Sequence, residues 1–153
     1  MTIVKINLNK INAKRNLEAK SGQVNINNNV SLKNVEDMAF STEGKKGLKF
    51  TFTFSCTYEP ELGKIKVEGQ VFFVENAELI DEVKASWEKD KQIPPKVMEV
   101  IINAALHKGN IQAIKVSEEI GLPSPLPLPK LRPGSPNAVQ EEKKEESNEE
   151  KTE

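Results

Sequence analysis

The stretch LKFTFTFSCTYEPELGKIKVEGQVFF, residues 48–73, decides the fold. Leu48, Phe50, Phe52, Phe54, Cys56 and Tyr58 alternate with Lys49, Thr51, Thr53, Ser55 and Thr57. After the turn signal Glu59-Pro60-Glu61-Leu62-Gly63, Ile65, Val67, Gly69, Val71 and Phe73 alternate with Lys64, Lys66, Glu68, Gln70 and Phe72. Side chains along a strand point to opposite faces at period two, so the stretch reads as a β-hairpin with one apolar and one polar face. Everything after it reads as helix. The apolar face therefore has to be covered by helices, by another subunit or by a ligand.

Outward from the hairpin, the upstream half also reads as strand. Residues 3–15 place Ile6, Leu8 and, less regularly, Ile11 on one side. Residues 23–35 put Val24, Ile26, Val30 and Leu32 on one parity, with Asn25, Asn27 and Asn29 facing out. Asn28 breaks that parity, so the Asn-rich centre reads as a strand, a bulge or a turn between shorter strands. Phe40–Gly47 reads as a loop. Four strands with short or moderate connections favour an antiparallel sheet.

Downstream, Asn76 is placed to cap a helix with Glu78 in its first turn and Leu79, Ile80, Val83 and Trp87 along one face. Pro94-Pro95 opens a second helix, where a missing amide is harmless. Val97, Ile101, Ala104 and Ala105 form one stripe, and Met98, Val100, Ile102 and Leu106 make much of the remainder apolar. Such a helix is covered on more than one side. Gly109-Asn110 reads as a break before a third helix, about Ile111 to Ile120, ended by Gly121. Leu122 to Leu131 interleaves prolines with leucines, which enforces an extended strap laid over apolar surface.

The chain has 153 residues, 37% hydrophobic and 29% charged, enough for one ordinary domain at residues 1–131. No apolar run approaches the ~20 residues of a membrane span, and Met1–Ile6 lacks a secretory apolar core. Cys56 is the one cysteine, which excludes an internal disulfide and fits a cytoplasmic setting. The formal net charge of −1 conceals an asymmetry: seven Glu face three Lys between Ala138 and Glu153, leaving the preceding residues at +3. Residues 132–153 read as a disordered acidic tail that solubilises or docks a partner.

The residues of an enzyme are missing. His107 stands alone at what reads as a helix end, no His/Cys/Asp group has metal-ligand spacing, and Gly44-x-x-Gly47 is not a phosphate loop. Glu59/Glu61 and Asp81/Glu82 have no nucleophile or base near them. Neither catalysis, cofactor nor metal is expected.

The order of elements resembles the SecB family of export chaperones, particularly small SecB-like proteins of archaea. The resemblance is carried by Ile11-Asn12-Ala13-Lys14-Arg15, by Phe50-Thr51-Phe52-Thr53-Phe54 with Lys66-Val67-Glu68-Gly69-Gln70-Val71-Phe72-Phe73, by the Pro-Pro helix start and by Leu122-Pro123-Ser124-Pro125-Leu126-Pro127. It implies an α+β fold, a four-stranded antiparallel sheet of Greek-key type packed by C-terminal helices, assembled as a dimer or tetramer. It also implies ATP-independent holding of unfolded or exported polypeptides in apolar grooves, with a translocation factor downstream. Lys49, Lys64 and Lys66, with Glu68 the one acid among them, depart from the acidic face that bacterial members offer their motor ATPase.

A surface that binds many sequences needs non-directional apolar attraction and adaptable side chains. Phe72, off the main apolar parity, with Trp87, Met98, Ile102 and Leu106 as a facing wall on the helices, are the candidate client-binding residues; as single residues each is equally a core or interface side chain. The competing expectation is a nucleic-acid- or ribosome-binding protein. Residues 1–49 hold nine Lys/Arg against four acids, and Lys14-Arg15 with Lys45-Lys46 are the candidate phosphate contacts. No aromatic is interleaved with those lysines for stacking.

Overall fold

The computed structural model describes residues 2–18 and 22–126. Strands β1 (Thr2–Arg15), β2 (Asn25–Thr42), β3 (Lys45–Glu59) and β4 (Gly63–Asn76) form one antiparallel sheet, followed by helices α1 (Ala77–Asp90) and α2 (Pro95–Ile120). The sheet order is β1-β4-β3-β2, so the hairpin occupies the centre and the first two strands take opposite edges. The fold is α+β, as the sequence leads one to expect.

The hairpin pairs Leu48 with Phe73, Phe50 with Val71, Phe54 with Val67 and Tyr58 with Gly63. Its apolar parity is fully buried from Leu48 to Tyr58 and at Ile65, Val67, Val71 and Phe73, where it meets Ile80, Val83, Val97, Ile101, Ala105 and Ala113 of the helices. Both helices therefore cover one face of the sheet. The Phe50 and Phe73 rings meet edge to face with centroids 6.0 Å apart, an arrangement that aromatic quadrupoles favour.

The edge strands follow the apolar pattern through bulges. Register shifts between Ile3 and Lys5 and between Leu8 and Lys10 bring Ile6, Leu8, Ile11 and Ala13 onto the helix side opposite Val71, Gly69, Val67 and Ile65. That explains the irregular place of Ile11. In β2, Val30, Leu32 and Val35 face Phe54, Phe52 and Phe50, with the shift falling between Leu32 and Asn34. The Asn-rich centre is continuous strand, and Asn28 lies exposed at the edge opposite Cys56.

The expected loop at Phe40–Gly47 is not one. Met38 pairs with Gly47, Ser41 with Lys46 and Thr42 with Lys45, and Glu43-Gly44 makes the turn. Gly44 sits at φ +72°, a conformation that suits a residue without Cβ. Backbone pairing at an exposed hairpin end needs no apolar alternation, so hydropathy carried no sign of it.

The helix caps match the sequence. Asn76 Oδ1 accepts the Leu79 amide at 2.9 Å, and Pro95 begins α2. The expected break at Gly109-Asn110 is absent, and one helix of 26 residues replaces the predicted second and third. Gly109 is buried because α2 crosses Phe54 there; a Cβ would come 2.6 Å from Phe54 Cδ2. The glycine thus marks a close crossing instead of a helix end. His107 consequently lies exposed in the middle of α2 and not at the helix end the sequence led one to expect.

After Gly121 the chain turns back over the sheet. Leu122 and Pro125 are buried, and Tyr58 Oη donates to the Pro123 carbonyl at 2.7 Å. The strap expectation stands as far as Leu126; Pro127–Leu131 and the expected disorder of residues 132–153 lie outside the described residues.

Candidate functional site

Strand parity gives the sheet two unlike faces. On the face away from the helices the side chains form rows across four strands. Lys14, Lys64, Thr57 and Asn27 make one row, and Asn12, Lys66, Ser55 and Asn29 the next. Lys10, Glu68, Thr53 and Ser31 follow. Further along, Phe72 stands between Lys5 and Lys49.

That placement separates the candidate client-binding residues. Phe72 is half-buried on the open face, with Lys5 and Lys49 as its register partners on either side. Trp87, Met98 and Leu106 are half-buried on the other side of the sheet, packed against the core cluster. Ile102 is half-buried but stands outside that cluster. The expected single groove, with Phe72 facing the helical residues, does not exist in this chain, because strand parity directs Phe72 through the sheet and away from them. Lys91 Nζ lies 5.2 Å from the Trp87 ring centroid, within cation–π range, so that ring is half-roofed by a cation.

Other apolar side chains are more open. Val4 is 57% exposed, Ile11 45%, Leu17 84% and Ile111 36%. Val4 and Ile11 lie on edge strand β1 and Ile111 on α2, whose Val100, Ile102 and Ile114 are half-buried too. The sequence pattern signalled α2's all-round apolarity but not the exposure of Val4, which follows from the bulge beside it.

The two basic pairs also separate. Lys14 and Lys45 lie at opposite ends of the sheet, since Lys14 shares its row with Thr57, and Thr57 to Lys45 spans ~40 Å of strand. Lys46 is engaged with Asp81 at 2.9 Å, tying β3 to α1, and Lys84 binds Asp37 at 2.6 Å, tying α1 to β2. The Asp37 carboxylate holds the Lys84 ammonium above its ordinary pKa by accepting its proton in a charge-assisted hydrogen bond. Arg15 Nη1 donates to Ile120 O at 3.3 Å, a cation at the carbonyl end of α2. The two candidate phosphate-contacting pairs therefore lie apart. What the structure gathers instead is Lys14 with Lys64 and Lys66, beside Asn12, around a 240 Å³ cleft. A larger open cleft of 730 Å³, lined by Lys14, Arg15, Glu59, Glu61 and Lys64 among others, adjoins it at the hairpin turn. The grouping depends on β1 pairing with β4, a non-local register with two shifts that sets Lys14 opposite Lys64, so it was not legible in the sequence.

Among the described residues no three His, Cys, Asp or Glu side chains group as metal ligands. Burial pushes the pKa of Cys56 and Tyr58 up, keeping thiol and phenol protonated inside the core. No helix of the described residues is long and apolar enough to cross a membrane.

This fold has a known counterpart. It is similar to the SecB-like chaperone Rv1957 of Mycobacterium tuberculosis, solved in complex with a peptide from the HigA1 antitoxin, at a TM-score of 0.52 and 12% identity, over 86% of this chain and 89% of that one. At that identity the likeness is one of fold. No protein-family model and no curated protein sequence matches the chain.

Proposed function

We propose that this protein is a nucleotide-independent chaperone that holds non-native polypeptide segments on the apolar side chains of α2. The observation that carries this reading is the girdle of α2. Its core row, Val97, Ile101 and Ala105, is fully buried, while Met98, Ile102 and Leu106 beside it are half-covered and Ile111 is exposed. A helix apolar beyond what its own core needs presents area that an unfolded chain covers favourably, at ~25 cal/mol per Å². Methionine and flexible aliphatic chains adapt to many sequences, as promiscuous holding requires. The fold shared with a peptide-bound SecB-like chaperone supports the same reading. Self-association into a dimer or tetramer, cytoplasmic work and hand-over to a translocation factor belong to this proposal. An archaeal SecB-like affiliation and a single domain at residues 1–131 belong to it as well.

The test is suppression of aggregation of an unrelated denatured protein, without nucleotide, at near-stoichiometric ratio. The variant Ile102→Ser/Ile111→Ser should lose most of that activity with an unchanged circular dichroism spectrum, because neither side chain is buried in the core. Phe72→Ser, on the opposite face, should lose little. Full activity in the double variant would overturn the α2 assignment. Binding that weakens steeply with added salt would instead favour the nucleic-acid reading.

A further inference from the structure

The open face of the sheet carries an uncompensated positive cluster, and this chain carries its complement. Lys14 and Lys64 are direct register partners in an antiparallel pair, on the same face. Like charges so placed sit with Cβ atoms ~5 Å apart and repel, which destabilises a sheet. Lys66 is two residues further along the same face. The one acid in these rows, Glu68, binds Lys66 at 3.2 Å; neither Lys14 nor Lys64 has a carboxylate at ion-pair distance among the described residues. Glu59 and Glu61 line the same larger cleft as the two lysines but form no ion pair with either of them. Two clefts, of 730 and 240 Å³, meet at this lysine pair.

The described chain ends at the same end of the sheet, on its helix side. Tyr58 Oη holds Pro123 O at 2.7 Å, and the Leu122 side chain packs over Gly63, the neighbour of Lys64. Residues 127–153 continue from there, with seven Glu against three Lys between Ala138 and Glu153. The fifteen residue steps from Leu126 to Glu141 reach up to ~50 Å when extended, enough to pass round the end of the sheet from its helix side to Lys64 and Lys14. A tethered segment meets its site at an effective concentration in the millimolar range for short linkers, so weak charge pairing suffices for occupancy.

We propose that the acidic segment Glu141–Glu150 of this chain docks on the Lys14/Lys64/Lys66 clefts of its own sheet, masking that basic face from other polyanions. The occupant is intramolecular because anchorage of the strap at Tyr58 and Gly63 delivers the tail to this end of the sheet, and because its acidity matches the unpaired lysines. Docking relieves the Lys14–Lys64 repulsion and leaves the α2 surface on the other side free. Masking is electrostatic and therefore yields to salt.

The experiment uses the full chain with Ser147→Cys carrying a nitroxide label; Cys56 is fully buried and stays unlabelled. At low salt the label should broaden the backbone amides of Lys14, Lys64 and Lys66 and spare α2. The broadening should vanish at about 0.5 M NaCl, where screening falls to a few ångströms, and also in Lys14→Glu/Lys64→Glu. Broadening that survives both treatments, or its absence at low salt, overturns the proposal. Broadening seen only when labelled chains are mixed with isotope-labelled, unlabelled-cysteine chains assigns the site to a second copy and overturns the intramolecular mask. A DNA oligonucleotide that shifts these amides as strongly in the native chain as in Glu141→Gln/Glu142→Gln/Glu145→Gln/Glu146→Gln overturns it in favour of nucleic acid.

Discussion

The two faces of the central hairpin are built from the same residues in alternation, yet they obey different rules. On the helix side, Phe50, Phe52, Phe54, Val67 and Val71 are fully buried, and position and volume are fixed by what lies above them. On the open side, Thr51, Ser55, Thr57, Lys64 and Lys66 keep solvent contact, and charge decides what approaches. The contrast gives the core to one strand parity and the charged surface to the other. It also places the proposed polypeptide-holding surface, on α2, on the side opposite the lysines.

The largest expected effect belongs to the helix side. Phe54→Ala removes a ring held between β2, β4 and α2 and should cost ~3–5 kcal/mol, whereas Thr51→Ser, three residues away on the half-exposed open face, should cost well under 1 kcal/mol. Equal denaturant midpoints for the two would break the comparison. A smaller loss, about 1–3 kcal/mol, should follow Gly109→Ala, because its Cβ would press on Phe54 at the crossing and the gain in helix propensity offsets only ~1 kcal/mol. A more stable Gly109→Ala would show that α2 has room to lift. The smallest effect is on the open side and opposite in sign: Lys64→Gln should stabilise by a few tenths of a kcal/mol at low salt, through relief of repulsion with Lys14, and the gain should fade as salt rises.

Where period two was strong, sequence sufficed. The core parity of β3 and β4, the Asn76 cap, the Pro95 start and the strap to Leu126 were all legible because each rests on local stereochemistry. The Glu43-Gly44 hairpin was not, since polar strand ends give no hydropathic signal. Gly109 misled because a glycine that ends a helix and one that lets a phenylalanine approach look alike without the partner element. The site was legible in kind and not in placement. Phe72 was noticed for its wrong parity, but joining it to Trp87 and Met98 ignored that wrong parity means the other side of the sheet. Lys14 was noticed with Arg15 as sequence neighbours, although adjacent strand residues diverge and its true neighbour is Lys64.

The order of elements along the chain also has a consequence in time. The apolar hairpin face is complete once Phe73 has been made, but its cover includes Ala113 of α2. At ~5–20 residues per second, those roughly 40 intervening residues take about 2–8 s, during which the nascent sheet offers a row of bare phenylalanines. For that interval the newborn chain exposes the kind of surface its finished form is proposed to hold.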